Sequence, residues 1–225
     1  MLVFTAGDAA LELWKSIFTP FLRVWISVTG DAPPVAAQVA GQAELLARFV
    51  WLLMVLFILR WLILRRNGPG ISDYLGLRRF SPWRLVLWVS IFAGVLIVGT
   101  ALAVLSGDQS GSKSQERLVS SRAPILLEIA SHDLAAPLGE ELFVRGFLYR
   151  GIAASRAGWI AAILLPNLLW TLAHGQYGGA TLTALFLLGC TYGLARHYSG
   201  SVILPIILHM LQNLLVTYAV YFVRT

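Results

Sequence analysis

The chain has little of what a water-soluble protein needs. Only 12% of its 225 residues are charged, about half the fraction usual in a soluble globular domain. Without that polar cover a water-facing surface cannot be built, and the outer surface is expected to face lipid. Cysteine is nearly absent: Cys190 is the single one. That excludes a disulfide framework and a cysteine-based metal knot, and inside its apolar run Cys190 reads as a small hydrophobe. No helix carries the His-Glu-x-x-His pattern of a zinc protease. The N-terminus lacks a basic start and an unbroken apolar stretch, because Asp8, Glu12 and Lys15 arrive early, so it does not read as a cleaved signal peptide. Internal repeats and paired broken helices are also missing, which disfavours a transporter.

What is present is apolar. Hydrophobic residues make up 58% of the chain, and the mean hydropathy is +0.75. The net charge of +6 gathers between apolar runs, which is the mark of membrane orientation rather than of nucleic-acid binding. Residues 9–28 place Leu11, Trp14, Ile17, Phe18, Phe21, Leu22 and Trp25 at helical spacing, interrupted by Pro20. They read as an amphipathic helix at the interface, with a poor spanning helix as the alternative. Gly30 to Pro34 read as a break. Two spans follow, at roughly 45–64 and 84–105, and then four helices: A at 123–150, B at 159–174, C at 180–197 and D at 201–223. Arg65, Arg66, Arg78, Arg79 and Arg84 mark the first inter-span loop as cytoplasmic. Ser106 to Arg122 read as a solvated loop on the opposite face. Arg150 and Arg156 between A and B, and Arg196 and His197 between C and D, give the same orientation. The expected fold is an all-α polytopic transmembrane bundle. Its parts are an interfacial segment at 1–33, two N-terminal spans and their loop at 34–122, and a four-helix catalytic core at 123–225.

Ionisable residues inside spanning helices are costly, so they usually face a cavity and act there. Helix A holds Glu140, Glu141 and Arg145; helix B ends in Trp170-Thr-Leu-Ala-His174; helix D carries His209-Met-Leu-Gln-Asn213. At helical rise Glu140 and His209 lie about 15 and 13 Å from their basic loops, and His174 about 22 Å, so the three are able to meet in one chamber. Glu141 and Arg145 stand i,i+4 with the acid first, the favourable order for an ion pair. Glu140 is turned about 100° away. His209 and Asn213 share a face. A base, two imidazoles and an amide donor suit peptide hydrolysis, which must deprotonate water and hold a tetrahedral oxyanion. Blander readings exist for each group: a structural ion pair, a satisfied polar contact, or interhelical hydrogen-bonding glue. Their occurrence on successive apolar helices favours a site. Glu128, His132 and Asp133 are further polar intrusions on helix A, read as entrance or loop-proximal groups.

The series Glu140-Glu141-x-x-x-Arg145, Trp170-x-x-x-His174 and His209-x-x-x-Asn213, with Pro137 before and Gly146 after the first motif, resembles the CPBP family. That family includes CaaX prenyl endopeptidases and bacteriocin-processing or immunity-associated membrane proteins. The resemblance spans roughly 120–223. It implies an intramembrane glutamate-type endopeptidase that needs no cofactor or metal. Glu140 and His174 would activate the water, His209 and Asn213 would stabilise the oxyanion, and Glu141 and Arg145 would support them. Trp170 stands where the family usually has Phe and retains an aromatic wedge.

The implied substrate is a membrane-anchored protein or peptide, such as one with a C-terminal sorting tail, a leader or a CaaX-like end. The lipid bilayer is the other partner, and no nucleic acid is expected. Composition leans toward a bacterial inner membrane. The rivals are a zinc-dependent protease, with Glu140, His174 and His209 as ligands, and a non-catalytic scaffold or immunity protein of the same fold. The orientation is testable with single cysteines in a Cys190→Ser background. Cysteines at Arg78 and Arg156 should react with an impermeant label only once the cytoplasmic face is opened, and one at Ser112 should react from outside. Labelling of all three from one side would contradict the six-span arrangement.

Overall fold

A computed structural model describes residues 33–66, 68–111, 123–219 and 221, with side chains from residue 41 onward. The expected interfacial helix at 9–28 and residues 112–122 of the solvated loop lie outside them. Every regular element among the described residues is a helix. We number them α1 (Pro33–Leu64), α2 (Ile71–Leu75), α3 (Pro82–Leu105), α4 (a continuous run over 125–153), α5 (Gly158–Leu172), α6 (Gly179–Ser199) and α7 (Ile203–Tyr218).

Helix α1 starts at Pro33, within the expected break and well before the expected span start near 45, because a proline in the first helical turn removes an N–H that has no partner there anyway. Two helical stretches are long and apolar enough to cross a bilayer, Gly41–Leu64 and Pro82–Leu105, each of 24 residues. At 1.5 Å per residue each reaches about 36 Å, beyond the ~30 Å hydrocarbon core. Apolar side chains cover their outer faces: Phe57 is 71% exposed and Val104 72%. Water penalises such a surface and lipid does not. Helices α5 and α7 are apolar but shorter, with 15 and 16 residues.

Helix α4 is not regular. Two π-helical stretches, Ile129–Ala135 and Leu142–Leu148, flank an α-helical piece, Ala136–Glu141. Pro137 sits in the first turn of that piece. A proline there lacks the N–H that would bond four residues back, and its ring crowds that carbonyl. The wider π turn just before it relieves the crowding. The outcome is a helix whose six-residue centre carries Glu140 and Glu141 between two widened turns.

Helix α4 packs against α1, α5 and α7, while α6 lies against α3, α5 and α7. Leu59, Ile63, Leu75, Leu142 and Ile206 join α1, α2, α4 and α7 in one apolar cluster. Phe92, Leu188, Tyr192 and Leu208 join α3, α6 and α7 in another. Glycine permits the closest approaches. A Cβ on Gly139 would lie 2.2 Å from the Trp51 ring, and one on Gly99 2.8 Å from the Ala184 Cβ.

The three arginine-bearing loops meet at one end, as their charge predicts. Ser201 Oγ donates to the carbonyl of Arg78, the Val202 amide donates to Gly76, and Arg84 donates to the carbonyl of Ser199. Part of the opposite loop is more ordered than its composition implies. Asp108 accepts the backbone amides of Ser110 and Thr181 at 3.0 and 2.9 Å, and Ser110 Oγ accepts that of Gly178 at 2.7 Å. These bonds satisfy amides at the start of α6 that have no partner within the helix. Hydrogen bonds from Ser110 and Thr181 hold the Asp108 carboxyl well below the usual carboxylate range.

Candidate active site

The site grows from the centre of α4. Glu141 is fully buried, and its Oε1 accepts from Arg145 Nη1 at 2.8 Å and from His209 Nδ1 at 2.9 Å. One carboxylate oxygen thus ties α4 to α7 while balancing the buried guanidinium. Arg145 spends its other amino group on Asn167 Oδ1 and on the carbonyl of Gly189, both at 3.0 Å. Asn167 in turn donates to the carbonyl of Phe186 at 2.9 Å. The guanidinium also lies 5.0 Å over the Trp170 ring and 5.5 Å over that of Tyr192. A buried charge is tolerable only when paired and hydrogen-bonded in this way. The expected Glu141–Arg145 pair is present, with a second duty in fixing His209.

Glu140, one position earlier, faces a different neighbour, as its offset on the helix requires. It is half-buried, and its Oε2 accepts the indole N–H of Trp170 at 2.6 Å. Trp170 connects the expected site residues. Its ring stands edge-on to His209 at 5.5 Å and lies 4.7 Å from the His174 ring. The tryptophan is therefore more than an apolar wedge: phenylalanine has no N–H to offer Glu140.

His174, expected within helix B at 159–174, lies just beyond the observed helix, since α5 ends at Leu172 and the chain turns. Its Nδ1 donates to the carbonyl of Trp170 at 2.8 Å, and its ring stacks on Tyr177. A carbonyl only accepts, so Nδ1 carries the proton and Nε2 is the free nitrogen. His209 is fixed in the same sense by Glu141, and Tyr192 stacks on its ring at 5.4 Å. Asn213, one turn further along α7, donates to the carbonyl of His132 at 2.8 Å. That bond uses one of its two amide hydrogens and anchors α7 to the first π turn of α4.

Glu128, His132 and Asp133, expected as entrance or loop-proximal groups, take part in contacts inside the bundle. Glu128 and Asp133 are buried, and all three bond within the bundle: Tyr221 donates to Glu128 at 2.5 Å, while His132 and Thr217 meet Asp133 at 2.7 and 2.9 Å. His132 and Asp133 lie in the first π turn, and Glu128 in the α-helical turn before it. Sequence reasoning passed over Asn167, Gly189 and Tyr192. Asn167 had a readable signal, as the one polar residue in the run from Trp159 to Leu169. Among the described residues no three His, Cys, Asp or Glu side chains form a metal-binding set.

Fold and site together define a helical membrane protein with a half-buried carboxylate beside two oriented imidazoles. Residues 122–215 match the family described as type II CAAX prenyl endopeptidase Rce1-like. A 132-residue stretch is 31% identical to an uncharacterized 24.3 kDa protein of Escherichia coli, and covers 57% of this chain and 59% of that one. A 137-residue stretch is 28% identical to the membrane-embedded CAAX protease MroQ of Staphylococcus aureus (strain USA300), and covers 59% of this chain and 55% of that one. The chain thus spans less than two-thirds of the length of these curated relatives. No solved structure matches. These matches support an assignment of residues 122–215 to the CPBP family, and the chain is an integral membrane protein.

The buried pair gives a stability prediction. Arg145→Ala strands Glu141 and should cost about 3–5 kcal/mol. Gly189→Ala should act on the same network from the other side, because its Cβ would lie 1.8 Å from Asn167 Oδ1. Thermal unfolding in detergent should show both variants melting below wild type, and wild-type melting of both would refute the network.

Proposed function

We propose that the protein is an intramembrane endopeptidase in which Glu140 activates water for attack on a peptide bond. The observation that carries this reading is the convergence of Glu140, His174 and His209 around Trp170. The indole holds one Glu140 oxygen and leaves the other to take a proton from water. The free Nε2 of His174 accepts the second water hydrogen and aims the oxygen lone pair at the scissile carbonyl. As the C–O bond forms, the carbonyl π pair moves onto oxygen. His209, held at Nδ1 by Glu141, turns its Nε2 toward that oxyanion and donates from it when the ring carries a second proton, and the remaining N–H of Asn213 is the second donor. Collapse breaks the C–N bond, and Glu140 returns its proton to the leaving amine. Donors already fixed in a water-poor site stabilise developing charge at no reorganisation cost.

The substrate in this reading is a membrane-anchored protein or peptide, cut where its chain enters the bundle from the interface. The likeness to a CAAX protease supports a C-terminal or leader segment as the cleaved part. Six spans, with the arginine-rich loops in the cytoplasm of a bacterial inner membrane, complete the reading. The units are an N-terminal interfacial segment, two helices with their loop, and the catalytic core from residue 123.

Glu140→Gln keeps the side-chain shape and the acceptor for Trp170 but removes the base. It should lower turnover at least about a hundredfold with unchanged melting, measured on the purified protein with candidate membrane-anchored peptides. Near-normal turnover would sink the mechanism. Zinc is the specific rival, because imidazoles held at Nδ1 also present Nε2 in the manner of metal ligands. Cleavage should survive exhaustive chelation. Activity lost to chelator and restored by zinc would make Glu140 a partner of metal-bound water instead.

A further inference from the structure

A cavity lies away from the Glu140 site, at the end where the arginine-bearing loops meet. Its volume is about 410 Å³. Walls come from α2 and the residues after it, the end of α4, the start of α5 and the end of α6. Arg78, Arg150 and Arg196 line it, with Asp73 as the sole acidic lining residue. Asp73 already pairs with Arg78 at 3.4 Å.

Arg196 is the informative member. It is only 6% exposed, yet no carboxylate pairs with it among the described residues. Its Nε donates to the carbonyl of Arg145 at 3.0 Å, and its guanidinium lies 5.1 Å over the Tyr149 ring. Its two terminal amino groups make no hydrogen bond to described protein groups, and they border the cavity. The fork is held from below by Gly76, where a Cβ would come within 2.3 Å of Nη2. Tyr149 OH bonds His197 Nδ1 at 2.8 Å, and Trp159 stacks on that imidazole at 4.3 Å. The walls are therefore fixed before any ligand arrives. A buried cation without an anion costs several kcal/mol, and a fixed guanidinium with two free donors matches a tetrahedral oxyanion.

We propose that this cavity is a phosphate-type anion site: it takes a phosphate group, supplied by an anionic lipid headgroup or by free phosphate. Arg196 is the deep contact and Arg150 the outer one. The cavity is far too small for a nucleic-acid strand, and its place among basic loops is where anionic headgroups concentrate.

The test uses the full chain in a neutral maltoside detergent. Thermal unfolding is followed against inorganic phosphate, with sodium chloride at matched ionic strength as the control. Native mass spectrometry follows retention of phosphatidylglycerol against phosphatidylcholine. A saturable rise in Tm beyond chloride, or one retained phosphatidylglycerol, is expected. Retained lipid displaced by phosphate identifies the headgroup as the source, whereas phosphate stabilisation without lipid retention identifies free phosphate. Arg196→Gln should abolish the effect. Arg150→Gln, at an exposed side chain with no hydrogen bond among the described residues, should fold normally and weaken apparent affinity about fivefold. Absence of both effects in wild type, or unchanged affinity in folded Arg150→Gln, would overturn the proposal.

Discussion

The site depends on one carboxylate oxygen. Glu141 Oε1 serves Arg145 and His209 together, and each contact makes the other tolerable. Arg145 alone in the bundle would be an uncompensated charge, and Glu141 alone would be another. Once paired, they become a rigid point from which α7 is positioned, because the bond at Nδ1 fixes the His209 ring. The remaining Arg145 contacts draw α5 and α6 onto the same point through Asn167 and Gly189. Four helices thus register against one ion pair. In lipid, where no hydrophobic force selects among helix packings, such polar contacts and close glycine approaches set the arrangement.

The backbone of α4 makes this possible. A regular helix would place Asp133, Glu140 and Arg145 at fixed 100° steps. Two π turns reset that phase on either side of the glutamates. Asp133, within the first of them, is buried in the bundle, while Asn213 reaches back to the carbonyl of His132. The irregularity that Pro137 calls for is used to aim polar groups in both directions from a short, regular centre.

Much of this was legible in the sequence, for identifiable reasons. Charge depletion and two long apolar runs fix a helical membrane fold, since no other open structure satisfies its backbone in lipid. Glu141 and Arg145 announce their pairing by spacing, and the one-residue offset of Glu140 correctly predicts a different neighbour. The arginine loops gather at one end as their charge implies. Other features leave no trace in hydropathy. A π turn reads as ordinary helix, so the burial of Asp133 does not follow from its spacing. Asn167 was hidden by its apolar neighbours, although a lone amide in such a run is itself a signal. The indole N–H of Trp170 counts only once a carboxylate is known to lie beside it. Short α2, whose closing Gly76 covers Arg196, carries too few residues to show a period.

In the proposed mechanism Glu140 is a base that deprotonates water, which differs chemically from a carboxylate that attacks the peptide directly. A single turnover in water enriched with oxygen-18 separates the two, read by mass spectrometry of the cleaved substrate and of the enzyme peptide containing Glu140. Activated water predicts solvent oxygen in the new carboxyl terminus and none in the Glu140 side chain. Label appearing in the Glu140 carboxylate after that turnover would show an acyl intermediate on the glutamate and contradict the account.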